Sequence, residues 1–253
     1  MKFHAVYVVV GIIACPFIFF CIFAPSQLLQ VQVIELANGF KYIEKSNFSN
    51  EWKQTIHKYL TFPLDNHYGS HTIVLLAAAY ASETGAILEL GMGSSSTPLL
   101  HRLAVDQNRF LLSADSDIRW VNYFVSGLEK TELHQMKYVE VKTEMGVEWA
   151  AANLSDAAKW SIVFIDHRPG GRRQFDLRAY ALRSTLVLLH DTEVASMYQY
   201  TNALPLYTYR YRFTRLKTYT DVLSRTNETL VKRIRFLLES IPDSYFHTNK
   251  TLT

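Results

Sequence analysis

Apolar and polar positions alternate in two rhythms along most of this chain. "TIVLLAAAYAS" (72–82) is apolar at nearly every position and long enough to predict a buried helix. After Thr84 and Gly85, short apolar runs follow one another: "AILEL", "FLLSAD", "YVEVK", "SIVFID" and "STLVLLHD". Between them lie stretches of helical period, "PLLHRLAV", "WVNYFVSGL", "GVEWAAANL" and "FDLRAYAL". Strand alternating with helix predicts βαβ units, hence a parallel sheet with helices on both faces. "LYTYRYRFTRLKTYTDVLS" alternates at period two and predicts closing antiparallel strands whose arginines lie on a solvated face. In "NETLVKRIRFLLESI", Leu230, Val231, Ile234, Leu237, Leu238 and Ile241 form one helical stripe that packs on the domain or on a partner. No internal repeat or low-complexity segment interrupts the pattern.

The N-terminus has neither rhythm. Ala5 to Ala24 is an uncharged apolar run, "AVYVVVGIIACPFIFFCIFA", long enough to cross roughly 30 Å of hydrocarbon as a helix. The competing reading is a cleaved signal peptide, but Pro25 follows the best cleavage candidate, Ala24. The expected organisation is a cytosolic tail and transmembrane signal anchor over 1–25, a polar and aromatic stem over 26–67, and a globular domain over 68–253. The stem runs into the loop "FPLDNHYGSH". Charges flanking the run orient it only weakly, yet a short tail before a large domain suits a single-pass type II protein of the ER or Golgi, with the domain lumenal. Sequons at Asn47, Asn153, Asn227 and Asn249 lean toward a lumenal glycoprotein.

Composition narrows the field. The chain has 253 residues, 49% apolar and 19% charged, which suits one sizeable core. A formal charge of +3, with no arginine-rich tract, excludes nucleic acid as the expected partner. Cys15 and Cys21 both lie in the apolar run, so the domain has no disulfide, thiol nucleophile or cysteine metal site.

The chemistry concentrates at "ILELGMGSSST" (87–97), a strand running into a glycine turn and a helix start, which is where doubly wound sheets bind ligands. Gly91 and Gly93 permit a tight turn and close backbone approach; Ser94, Ser95, Ser96 and Thr97 offer hydroxyls and a cap to a helix carrying Pro98 in its first turn. A dinucleotide loop needs a third glycine where Ser96 stands, and no Gly-Lys-Ser/Thr follows for a Walker-type site. Asp115 ends the second strand, placed to hydrogen-bond a ribose, with Asp117 as rival and helix capping as the alternative role. Asp166 and His167 end the fourth strand; His190 and Asp191 end the fifth.

"ELGMGSSST", read with these strand-end acids, resembles the class I S-adenosylmethionine-dependent methyltransferases, closest to the family 24 and catechol-type O-methyltransferases, over roughly residues 68–224. The resemblance implies a doubly wound, mostly parallel seven-stranded Rossmann-like sheet, preceded here by the transmembrane helix. It implies S-adenosylmethionine as cofactor, held by Glu89, Gly91, Gly93, Ser94, Ser95, Ser96, Asp115 and Asp166, with Trp120 near the adenine or in the core. Asp166, His167, His190 and Asp191 become the catalytic candidates, since methyl transfer to oxygen needs the acceptor positioned and its proton removed. In catechol-type relatives two aspartates and an asparagine hold a divalent metal. Asp166 and Asp191 match the aspartates, so Mg2+ is a candidate cofactor, but Thr192 stands at the asparagine and Glu193 is the substitute ligand.

A second departure is that His167 follows Asp166 directly, before "RPGGRR", where family 24 members read Ile-Asp-Gly-x-His. Arg168, Arg172 and Arg173 would bring positive charge to the mouth of the site, suiting an anionic acceptor such as a uronate-bearing glycan, or form a solvated surface run. The expected activity is O-methylation of a hydroxyl or carboxyl on a glycan or small molecule. Two alternatives are a catalytically inactive methyltransferase-fold scaffold and a nicotinamide-dependent oxidoreductase, the latter disfavoured by Ser96 and by the lack of a Tyr-x-x-x-Lys pair.

Overall fold

The computed structural model describes residues 48–60, 64, 69–152, 154 and 159–246. The expected anchor, most of the stem, and the sequons at Asn47, Asn153 and Asn249 lie outside the described residues. Among the described residues, no helix is long and apolar enough to cross a membrane.

Seven strands form one sheet: β1 (Ile87–Leu90), β2 (Leu111–Asp115), β3 (His134–Tyr138), β4 (Trp160–Ile165), β5 (Ser184–His190), β6 (Tyr209–Phe213) and β7 (Thr220–Ser224), in the order β3-β2-β1-β4-β5-β7-β6. β1 through β5 pair in parallel, while β7 runs antiparallel to both β5 and β6. The order reverses at β1, whose Leu90 is level with Ala114 of β2 and Ile165 of β4. The residues that follow, Gly91, Asp115 and Asp166, therefore emerge side by side at the carboxyl ends. Strand order reverses at such a switch point, and a crevice opens there.

Side-chain alternation along the strands fills two cores. Ile87, Ile162, Phe164, Leu186 and Leu188 face one layer; Leu88, Leu90, Val163, Ile165, Val187 and Leu189 face the other. On the first face lie α1 (Asn50–Tyr59), α2 (Thr72–Ser82), α3 (Ser96–Asp106) and α8 (Glu228–Ser240). α2 is buried along nearly its whole length, which is why it reads as apolar all round rather than amphipathic. α8 packs on it through Val231, Ile234, Leu237 and Leu238, as its stripe predicts, and Asn227 caps it by accepting from the Leu230 amide. The second face is covered by the short α5 (Glu148–Ala151), by α6 (Arg173–Tyr180) and by the turns around Tyr200 and Tyr207. α4 (Ile118–Gly127) buries Val121 and Phe124 in a third, smaller cluster, and α7 (Ala195–Tyr198) follows β5.

Three elements differ from the sequence expectation. β3 is "HQMKY", upstream of "YVEVK", because an edge strand with half-exposed positions carries no continuous apolar run. Within the expected stem, α1 buries Trp52 and Ile56 in the first core, and the Trp52 indole donates to the Leu237 carbonyl at 3.0 Å. Arg210 and Arg212 do not form a free solvated face; both pair with the fully buried Asp221, at 2.8 and 2.6 Å.

Candidate active site

The glycine turn after β1 is built against the strand beside it. Gly91 adopts φ +99°, and a Cβ there would lie 2.6 Å from both the Asp166 carbonyl carbon and the His167 nitrogen. Glycine is thus demanded by the β1–β4 approach before any ligand is considered. Asp115 closes the turn from β2: its carboxylate accepts from the Met92 amide and from the Asp117 amide, each at 2.6 Å. Burial pushes its pKa up, against the pull of those two amides. Asp117 is the helix-capping residue, accepting from the Arg119 amide and pairing with its guanidinium.

Glu89 does not face the cleft. It is fully buried beneath the turn, where the Thr97 hydroxyl donates to it while accepting from the Gly93 amide, and burial raises its pKa to about 7. Through Thr97 it braces the turn from beneath, and among the described residues it is not part of the cleft wall. Gly93, Ser94, Ser95 and Ser96 line the cleft. Ser95 holds the N-cap position of α3 without a side-chain cap bond.

Beside the turn, after β4 and β5, stands a corner of charged groups. Arg173, the first residue of α6, points inward and spends all five of its donors. It bonds the carbonyls of Asp166, His167 and His190 at 3.0–3.1 Å, Asp166 Oδ1 at 2.8 Å and Asp191 Oδ2 at 3.1 Å. Tyr198 stacks on the guanidinium at 4.4 Å and donates to Asp191 at 3.2 Å. Gly170 makes room for that ring, since a Cβ there would overlap it. Burial pushes Asp166 up to about 7 despite Arg173. Burial also opposes the charge on Asp191, but His190, Arg173 and Thr218 together hold it below its ordinary value.

This arrangement does not fit Mg2+ held between Asp166 and Asp191. A guanidinium already bridges the two carboxylates, and Thr192, at the asparagine position, is buried, outside the cleft wall, with a hydroxyl that has no partner among the described residues. The two aspartates are joined by a fixed organic cation instead. Glu193 is likewise engaged elsewhere, accepting from the Tyr219 amide at 2.8 Å.

The histidines divide. His190 bonds Thr220 through Nδ1 at 3.0 Å and Thr218 through Nε2 at 2.8 Å, and its Nε2 also lies 3.3 Å from Nδ1 of His71. Burial lowers His190 to about 4 and, with His190 beside it, drives His71 well below its ordinary value, so both imidazoles are neutral at pH 7. His167 stacks on Trp149 and bonds Asp176 at 2.8 Å, and its Nδ1 has no partner among the described residues. Arg172 pairs with the same Asp176. Of the three arginines expected at the mouth, only Arg168 is exposed; Arg172 and Arg173 are buried and neutralised internally.

His71 and the bridging role of Arg173 are the parts that sequence reading missed. His71 ends a loop with no motif of its own, and its one signal is its place immediately before a helix destined for the core. Together these groups line a cleft of about 1060 Å3 along the carboxyl ends of the strands, from Asp115 and Trp120 past the glycine turn and Asp166 to His190 and His71. That volume suits a nucleoside-sized ligand together with a second small molecule.

No protein-family model matches the sequence, and no curated protein matches it. Several solved structures are similar to this chain at low identity. Human methyltransferase-like protein 13 in complex with SAH is 12% identical, with 74% of this chain and 97% of that chain covered and a TM-score of 0.45. The O-methyltransferase TomG from Streptomyces achromogenes, in complex with SAM, is 15% identical, with 77% and 96% covered and a TM-score of 0.44. The N-terminal domain of human METTL16 is 17% identical, with 62% and 69% covered and a TM-score of 0.44.

Proposed function

We propose that this chain is an S-adenosylmethionine-dependent O-methyltransferase acting on a hydroxyl or carboxyl of a glycan or small-molecule acceptor. One observation carries the reading: a glycine turn and a buried strand-end carboxylate, Asp115, open on a cleft at the switch point whose far end gathers imidazoles and carboxylates. In this reading Asp115 would accept from ribose hydroxyls, and Trp120, which is half-exposed and lines the same cleft, would pack on the base. The cofactor supplies an electrophilic methyl group. The His71–Asp166–His190 corner would hold the acceptor oxygen near that group and take its proton. The apolar run Ala5–Ala24 and the sequons support a type II membrane protein with this domain in the lumen of the ER or Golgi.

Calorimetric titration of the purified full chain with S-adenosylmethionine and with NAD tests the cofactor, and methyl transfer from labelled cofactor to a panel of hydroxylated and uronate-bearing acceptors tests the reaction. Binding of the first ligand alone, with turnover, is the expected result. Cofactor binding without turnover on any acceptor would point to a binding module, and preference for NAD would overturn the reading.

A further inference from the structure

We infer that His71, His190 and Asp166 form a binding site for a borderline divalent ion of the Zn2+ type, which shares only Asp166 with the carboxylate pair that Arg173 bridges. Three groups converge on one atom, Nε2 of His190. The Thr218 hydroxyl lies 2.8 Å away, Nδ1 of His71 3.3 Å away and Oδ1 of Asp191 3.6 Å away. A ring nitrogen has a single in-plane lone pair or proton, so it satisfies one such neighbour and not three. The two imidazole rings meet at an interplanar angle of 74°, converging rather than stacking. Their 3.3 Å nitrogen separation is close to what two ligands each about 2.0–2.1 Å from one ion would show.

A carboxylate oxygen of Asp166 completes a set of three donor atoms that lie within 4.8 Å of one another. Arg173 claims only Oδ1 of Asp166, so the carboxylate retains an oxygen for this purpose. On the far side of the ring, Nδ1 of His190 meets the Thr220 hydroxyl at 3.0 Å, the kind of outer hydrogen bond that fixes a ligating tautomer. Two nitrogens and one oxygen select zinc-like ions over magnesium, which takes an all-oxygen shell. All three residues line the cleft, so the ion would keep open positions for an acceptor oxygen and help it shed its proton. That last role rests on the methyl-transfer reading, whereas the binding of the ion does not.

The test titrates the full chain, purified in detergent and stripped of metal, with Co2+ as a visible-absorbing substitute, followed by competition with Zn2+ and with Mg2+. We expect ligand-field bands in the native chain that Zn2+ abolishes and excess Mg2+ does not. In H71A and H190A the affinity should fall by more than about 100-fold, beyond the roughly 10–100-fold lost when only a partner of a ligand is removed. H71N is the gentler variant, and thermal unfolding of each protein separates loss of the site from loss of fold. Absent bands, bands indifferent to both histidines, or equal competition by Mg2+ would overturn the inference. S-adenosylmethionine titrated in parallel keeps the two readings apart: cobalt bands without cofactor binding sink only the methyltransferase, and cofactor binding without bands sinks only the metal site.

Discussion

The two ends of the cleft are made of different material. The β1–β2 end is a backbone construction, in which Gly91 bends against β4 and amides of Met92 and Asp117 are fastened by one carboxylate. The β4–β5 end is a side-chain construction, in which one guanidinium ties three strand-end carbonyls and two aspartates. The first depends on sterics and tolerates no added atom. The second depends on buried charge and tolerates no missing partner.

The sharpest way to break the first end is Gly91→Val. It combines a positive φ, costing about 1–3 kcal/mol, with a backbone overlap that nothing nearby can yield to, so we expect a loss of more than about 4 kcal/mol in denaturant unfolding and no cofactor binding. At the second end, Arg173→Ala strands two carboxylates and should cost about 3–5 kcal/mol, with Arg173→Lys only slightly better because an ammonium cannot span the same acceptors. A preserved melting temperature in the lysine variant would show that charge alone suffices there.

Glu89, beneath the turn, tests burial by pH. Its pKa is about 7 when folded against 4.5 otherwise, so the folded chain holds a proton that the unfolded chain releases between those values. The contribution to stability is complete below pH 4.5 and is lost as pH rises through about 7, a change on the order of 3 kcal/mol. Glu89→Gln should lack that slope and overtake the native chain above pH 7 in urea unfolding; parallel pH profiles would refute the assignment. Asp115→Asn should cost about 1–3 kcal/mol in urea unfolding, because its amide nitrogen would face one of the two backbone N–H groups that the carboxylate accepts from, and calorimetry should show S-adenosylmethionine binding weakened as the turn loosens. The smallest effect is expected from Trp120→Ala, about 1 kcal/mol of lost stacking, or roughly fivefold in the same titration.

The same contrast explains what was legible in the sequence. The glycine turn and Asp115 lie within local patterns, strand, turn and helix start, whose spacing carries the geometry. Strand-end positions of Asp166, His190 and Asp191 were readable because apolar runs stop at them. The bridging of Arg173 was not, since nothing in "RPGGRR" distinguishes an arginine facing water, as Arg168 does, from one turned inward by a helix start. His71 joins the site from a segment 119 residues before its nearest partner, a contact that only the packing of α2 on the sheet creates. β3 was misplaced because an edge strand buries too little to mark itself.

Arg173 also implies a form of chemical complementation. Its planar head is held by acceptors arrayed around its rim and by one aromatic face, while its aliphatic stem contributes little specificity. Trimmed to alanine, the residue would leave a hollow moulded to a diffusible guanidinium ion. Low millimolar guanidine hydrochloride, ordinarily a denaturant, should then raise the thermal midpoint of that variant, and urea or ammonium should not.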